Sequence, residues 1–259
     1  MSIAIRHLPR RRTPLNKNEF AARVWSKLVA FDAKHGLLEP RRRVLAAVSG
    51  GPDSVCLAHW LSVQARRKNL SVALVHVHHG LRKRAADRDA EFVRKLGKTL
   101  GLPVCVVRAP VLASAARRGL GLEEAGRLER YRALAARARR GRYSAVATGH
   151  QLDDQAETVL LHLLRGTSLE GLGGMPIKRP LAPGVELIRP LLALTRDEVL
   201  LYLKRHGLSW RDDASNRDPR FTRNWVRRDV LPRLEKRAPG VKTRLAAIAA
   251  KVRAATGRK

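Results

Sequence analysis

Two short clusters carry residue types that could handle a phosphate ester. The first is Ser49-Gly50-Gly51-Pro52-Asp53-Ser54, directly after the apolar run Val44-Leu45-Ala46-Ala47-Val48. An apolar stretch of strand length that breaks into two glycines and resumes as Val55, Leu57, Ala58 and Leu61 reads as strand, tight loop and helix. Glycines let backbone N–H groups approach an anion without a Cβ in the way, and the helix start adds unpaired donors and the positive end of a dipole. That is a cradle for phosphate or pyrophosphate. The G-x-x-x-x-G-K-[ST] alternative is excluded, because no Gly-Lys-Ser/Thr follows. The second cluster is Gly149-His150-Gln151-Leu152-Asp153-Asp154-Gln155-Ala156-Glu157-Thr158. Asp154 could N-cap a helix with Glu157 closing a capping box, which leaves Asp153 redundant for capping. Paired carboxylates near a phosphate loop suit Mg²⁺, which takes one or two carboxylates plus phosphate oxygens.

The elements that must position these clusters follow from periodicity. Strands are expected at 44–48, 71–77, 102–107 and 143–148, alternating with helical stretches, so the fold class is α/β with right-handed βαβ units and a parallel sheet. Ligands of such sheets sit beyond the carboxyl ends of the strands. Ser49, His78 and Gly149 all follow strand ends and should converge there. Phe20, Val24, Leu28 and Phe31 space an amphipathic helix, and residues 1 to about 20 read as a basic arm. From Pro176 the pattern changes: Pro180, Pro183 and Pro190 mark loops, Thr195 and Glu198 form a capping box for a helix to Gly207, and Val241–Ala255 is one basic helix.

Other groups are candidates with weaker chemistry. His76, His78 and His79 line a strand end, and with no cysteine nearby they read as polar lining rather than a metal cluster. Glu123, Arg127, Arg130 and Tyr131 share helical spacing, either as a solvated ion-paired face or as cations aimed at substrate phosphates. The tract Trp210–Arg228 mixes Asn, Asp and Arg with aromatics and suits a loop that grips an anion or a base.

Composition narrows the partners. The 259 residues include 53 Lys+Arg against 22 Asp+Glu, a net charge of +31, so a polyanion is expected and nucleic acid comes first. Aromatics at 4% make a broad base-stacking platform a poor fit, leaving backbone phosphates to dominate affinity. No stretch is apolar enough for a membrane span, and no apolar segment follows the basic N-terminus as a secretory signal would require, so cytoplasm is expected. The two cysteines, Cys56 and Cys105, are far apart with no C-x-x-C, which argues against a zinc ribbon or a cysteine-held cluster.

The loop SGGPDS resembles that of the N-type ATP pyrophosphatases, which split ATP into AMP and pyrophosphate. The ordered set SGGPDS, HVHHGLR, EEAGRLERY, GHQLDDQAET, LLRGTSLEGLGGM, IRPLL and DDASNRDPRFTRNWVRRDVLP, from about Arg42 to Leu234, is similar to the tRNA(Ile)-lysidine synthetases. The resemblance implies a doubly wound, Rossmann-like parallel sheet of the adenine nucleotide alpha hydrolase type with a small helical C-terminal extension. Its domains would be a basic arm and helix at 1–40, a catalytic domain at 41–235 and a short basic helix at 236–259. It implies ATP and Mg²⁺ as cofactors, and adenylation of the C2 oxygen of the wobble cytidine in an isoleucine tRNA with a CAU anticodon. Free lysine then displaces AMP through its ε-amine. Carried over by position, Ser49, Gly50, Gly51, Pro52, Asp53, Ser54, His76, His78 and Gly149 would bind ATP, and Asp53, Asp153 and Asp154 the metal. Asp53, His150, Asp153, Asp154 and Arg130 would be catalytic, and Arg82, Glu123, Arg127, Arg189, Asn216, Asn224 and Arg227 would meet tRNA or lysine. The chain is expected to be a short form, in which surplus cationic surface such as Arg10–Arg12 substitutes for C-terminal tRNA-binding domains. The rival readings are another tRNA modifier such as a cytidine or uridine thiolase, an amidotransferase-type synthetase, or a non-catalytic RNA-binding protein on the same scaffold.

Overall fold

The computed structural model describes residues 17–80, 83–211 and 222–257. In chain order these form α1 (Lys17–His35), β1 (Arg43–Ala47), α2 (Pro52–Lys68), β2 (Ser71–His78), α3 (Lys83–Leu100), β3 (Val104–Arg108), α4 (Val111–Arg118) and α5 (Leu122–Arg140). There follow β4 (Ala145–Ala147), α6 (Leu152–Leu164), α7 (Leu169–Leu172), β5 (Lys178–Ala182), β6 (Val185–Ile188), a 3₁₀ turn (Pro190–Ala193) and α8 (Arg196–Arg205). The chain closes with α9 (Thr222–Trp225), a π-helical turn (Val226–Val230), α10 (Leu231–Arg237) and α11 (Val241–Ala255).

One six-stranded sheet runs β3-β2-β1-β4-β6-β5. All neighbours are parallel except the β5–β6 hairpin. A parallel sheet covered by helices on both faces buries its strands on both sides, which is why β1 and β2 read as nearly unbroken apolar runs rather than alternating ones. The larger core lies under α1, α2 and α8, around Leu28, Trp60, Leu61, Leu74 and Tyr202. A second core on the opposite face joins Leu45, Val75, Leu134, Val146 and Leu187. The chain winds outward from β1 to β3 and returns to β4 on β1's other side, so the switch point falls between β1 and β4. Val44–Ala46 pair with Ala145–Ala147, which brings the loops at Ser49 and Gly149 out side by side.

Two expectations are corrected. The segment from Pro176 to Pro190 is a β-hairpin, not loop alone. Pro180 is tolerated because β5 is the edge strand, where a missing N–H costs no inner ladder bond. The N-cap of α6 is Gln151 rather than Asp154: Gln151 Oε1 accepts from Asp153 N–H at 2.6 Å, and Asp154 reaches back to Gln151 N–H at 3.0 Å. Asp154 is therefore the closing member of the capping box. The box expected at Thr195 and Glu198 is present at α8.

Candidate active site

The loop after β1 is folded around one hydroxyl. Ser54 Oγ accepts from Gly50 N–H at 3.1 Å and Ser49 N–H at 3.2 Å, and donates to Gly51 carbonyl at 2.8 Å. Gly50 has φ +98°, a conformation that favours glycine, and its carbonyl accepts from Arg211 N–H at 3.0 Å. Gly51 is the N-cap of α2 and has no side chain to cap with, so neither Ser49 nor Asp53 serves as the cap. The helix start is left open towards the crevice.

Gly149 fixes the distance between the two loops. A Cβ there would lie 3.0 Å from the Asp53 carbonyl carbon and oxygen and 3.1 Å from Ser54 N. Backbone stands against backbone, and any larger residue would have to push the two loops apart by a few tenths of an ångström.

Asp53 is the hinge of the electrostatics. One oxygen pairs with Arg196 Nη1 at 3.3 Å, while Oδ1 is buried with no hydrogen-bond partner. Burial, together with the nearby charge of Asp154, pushes its carboxyl up to about 6. Asp153 accepts from Arg196 N–H at 3.0 Å on one oxygen and from Lys242 Nζ at 2.6 Å on the other. Asp154 Oδ1 pairs with Arg227 Nη2 at 2.7 Å and lies 3.4 Å from Arg223 Nη2. Glu157, 1% exposed, meets Arg223 Nε at 3.0 Å and Arg227 Nε at 2.5 Å. Burial works against the charge on Arg227, yet its pairs with Glu157 and Asp154 outweigh that and hold its pKa above the ordinary value.

These residues fit a divalent cation. Among the described residues no group of three or more His, Cys, Asp or Glu side chains forms a cage. Mg²⁺ does not need one, because it uses one or two carboxylates and completes its shell with water and phosphate. The buried, unpartnered Oδ1 of Asp53, with other carboxylates close by, is the kind of oxygen such an ion would satisfy.

His150 lies beside this acidic group and hydrogen-bonds Thr148 Oγ1 through Nδ1 at 3.0 Å. Burial, reinforced by Arg189, Arg223 and Arg130, pushes its pKa down to about 3 against the opposing pull of Asp154, so the imidazole is neutral at ordinary pH. Arg130, Arg189 and Arg223 are thus brought around one point from α5, the end of β6 and α9. Next to them the guanidinium groups of Arg127, Arg130 and Arg179 stand 6.0, 5.7 and 5.1 Å from the Tyr131 ring centroid. Burial opposes ionisation of the Tyr131 phenol, but Arg189, Arg130, Arg127 and Arg179 prevail and lower its pKa. Glu123 lies within charge range of Arg130. His76 and His78 are buried and occupied: His76 Nδ1 hydrogen-bonds Val48 carbonyl at 2.9 Å, and His78 Nε2 lies 3.2 Å from Asp87. Asn224 sits in α9 beside Arg223. Arg82 and Asn216 lie outside the described residues.

Sequence reading missed Glu157 as more than a cap, and it missed Arg196, Arg223 and Lys242. Glu157 and Arg227 carried a signal, one helical turn from Asp154 and within the Arg-rich tract. Arg196 and Lys242 reach the site only through tertiary folding, and nothing local marks them.

A family model described as PP-loop domain matches residues 21–234. The chain belongs to the PP-loop family. Among curated relatives it is 45% identical over 204 residues to a tRNA(Ile)-lysidine synthase of Symbiobacterium thermophilum, covering 79% of this chain and 42% of that protein. It is 43% identical to the synthase of Dehalococcoides mccartyi, with 78% and 44% covered, and 41% identical to that of Geobacter sulfurreducens, with 86% and 46% covered. The match thus spans less than half the length of these relatives. Among solved structures, the U34-tRNA thiolase NcsA from Methanococcus maripaludis, with its [4Fe-4S] cluster, superposes with a TM-score of 0.75 over 91% of this chain and 79% of that one. At 23% identity that likeness speaks for the fold.

Proposed function

We propose that this chain carries the catalytic unit of a tRNA(Ile)-lysidine synthase, with residues 41–235 as its PP-loop domain. The observation that carries the reading is the meeting, at the β1/β4 switch point, of an amide-lined phosphate loop with Asp53, Asp153 and Asp154. The identity to tRNA(Ile)-lysidine synthases supports an isoleucine tRNA and lysine as substrates, and ATP and the CAU anticodon come from the motif resemblance.

In this reading the open start of α2 and the Ser49–Ser54 loop take the pyrophosphate portion of ATP, and Gly149 sets the loop's distance from the carboxylates. The edge at His76–His78 faces the adenine. Asp53, Asp153 and Asp154 would hold Mg²⁺, which supplies charge neutralisation at the phosphates when bound. Arg130, Arg189 and Arg223 place fixed positive charge where negative charge grows as pyrophosphate leaves and the C2 oxygen of cytidine is adenylated. The lysine ε-amine then attacks C2, the C2–O bond breaks and AMP departs. The amine must shed its proton first; His150, held neutral by burial and the surrounding arginines, resists taking that proton and serves as a neutral hydrogen-bonding group at the reacting centre. The cationic surface, including Arg127, meets the tRNA backbone, as a net charge of +31 favours. Among the described residues no helix is long and apolar enough to cross a membrane, and a cytoplasmic location suits a tRNA modifier.

A thiolation reading finds no support in the cysteines. Cys56 is wholly buried in the core under α2, and Cys105 Sγ accepts from Arg137 Nε at 3.1 Å on β3. Incubation with Mg-ATP, labelled lysine and the CAU isoleucine tRNA, with a CAU methionine tRNA as control, decides the matter. Label in the isoleucine tRNA alone, with AMP released, is the expected result. AMP-linked tRNA without label would mean a different nucleophile, and neither product would favour an RNA-binding protein.

A further inference from the structure

We propose that Lys242, on the C-terminal helix, is a positioning residue that holds Asp153 in its working orientation; the inference rests on the lysidine synthase reading for what Asp153 does. Lys242 lies beyond the 21–234 segment that the family model matches, and no motif marks it.

The argument begins with charge. Asp153 and Asp154 are successive residues in the first turn of α6, and Asp53 approaches from α2, so three carboxylates share one crevice. Each is given a cation: Asp53 has Arg196, Asp154 has Arg227, and Asp153 has Lys242. The Asp153 side chain is only 9% exposed, and apart from Lys242 its contact is a main-chain N–H, that of Arg196 at 3.0 Å. Two charge-directed bonds on opposite oxygens fix the plane of the carboxylate; one would leave it free to turn.

Lys242 is delivered by a braced element, as a positioning group must be. Gly240, at φ +83°, turns the chain into α11, and the Glu235 carboxylate accepts from Gly240 N–H at 2.5 Å and Lys242 N–H at 3.3 Å. At the other end Arg253 donates to the carbonyls of Gly173 and, at 3.1 Å, Met175. Met175 is itself gripped by Gln155 of α6, with N–H to Oε1 at 2.8 Å. The helix is therefore stapled to the element that carries Asp153, and the ammonium has little freedom to wander.

The test is a set of variants in the full chain: Lys242→Met, Lys242→Arg, Asp153→Asn and the Lys242→Met/Asp153→Asn double. For Lys242→Met, kcat for lysidine formation is expected to fall about 10- to 100-fold, with KM for lysine and ATP within about twofold of the parent. Lys242→Arg should recover most of the rate, and the double variant should be no slower than Asp153→Asn alone. Melting temperatures of the parent, Lys242→Met, Asp153→Asn and the double variant should also be non-additive. Arg253→Met, which loosens the far end of α11, should lower the melting temperature and cost a smaller part of kcat than Lys242→Met does. Parent-like kcat in Lys242→Met, or additive losses in both rate and melting temperature, would overturn the proposal. Should the parent protein make no lysidine, the functional reading fails by itself, and the melting-temperature cycle still decides the pairing: coupling supports it and additivity refutes it.

Discussion

On one wall of the crevice, the loop between β1 and α2 is shaped by main-chain groups within six residues, all arranged about the Ser54 hydroxyl. On the other wall, α6 presents Asp153, Asp154 and Glu157, held by Arg196, Arg223, Arg227 and Lys242 from as far as 89 residues away in sequence. The first wall is local and uses few charges; the second is assembled at long range and is almost wholly ionic. A backbone cradle can be built by a short motif and survives drift elsewhere. A carboxylate cluster cannot stand alone, because each buried negative charge needs a cation brought to it. The C-terminal helices are thus part of the site's electrostatics, and the walls should fail differently when cut.

The largest effect is expected at Glu157. Its carboxylate is 1% exposed and joins two arginines, so Glu157→Ala leaves two half-buried guanidinium groups with Asp154 alone. Losing one partner of a buried ion pair costs about 3–5 kcal/mol. A denaturant titration should show that loss, little changed by added salt, because buried pairs are weakly screened. A cost below about 1 kcal/mol would mean that the second wall is an ordinary solvated ion-pair surface, and the contrast between the walls would collapse.

Asp53 stands where the walls meet and should give the next largest effect, with the opposite sign. Its carboxyl is raised from 3.8 to about 6 by burial and by Asp154, so the folded chain holds that proton more tightly than the unfolded one. Its contribution is most favourable below pH 4, falls as pH rises from about 4 to 6, and is fully lost above that. The difference corresponds to roughly 3 kcal/mol. Asp53→Asn, melted in a chelator, should therefore be more stable than the parent at pH 7 and equal to it near pH 3.5, while losing lysidine formation. Equal stability at both pH values would show that Asp53 is not strained by its neighbours.

The same division explains what the sequence disclosed. The SGGPDS loop, the strands feeding it and the Thr195–Glu198 box are short-range patterns, and they were legible because the groups that satisfy one another are close along the chain. The convergence of Ser49 and Gly149 was legible too, since the order of strands and helices dictates a switch point. Strands β5 and β6 were not, because prolines that signal loops are also at home on a sheet edge. The cap is hidden for a similar reason: Asp154 is a common capping residue and offers itself for the role, whereas Gln151, three residues earlier, is an uncommon one. Arg196 and Lys242 could not be found at all: an arginine or lysine in so basic a chain carries no local mark, and only folding shows which of them face a carboxylate.

Ser54 offers the smallest effect and sharpens the picture of the first wall. Ser54→Ala removes the acceptor of two N–H groups and the donor to Gly51 carbonyl. Ser49 is exposed and the loop opens towards solvent, so water can replace much of what is lost. A stability cost of about 1 kcal/mol is expected, well below that of Glu157→Ala. The sharper readout is ATP. If the hydroxyl holds the loop in the shape that receives phosphate, its removal leaves a floppier cradle that must be ordered on binding. KM for ATP should then rise about 10-fold with kcat within about threefold of the parent. A fall in KM would mean instead that Ser54 competes with phosphate for the Ser49 and Gly50 amides, and that the loop must open before ATP can enter. Steady-state kinetics of AMP release against ATP concentration separates the two, and the first is expected, since a single oxygen satisfying two amides and a carbonyl fixes the loop at little entropic cost on binding.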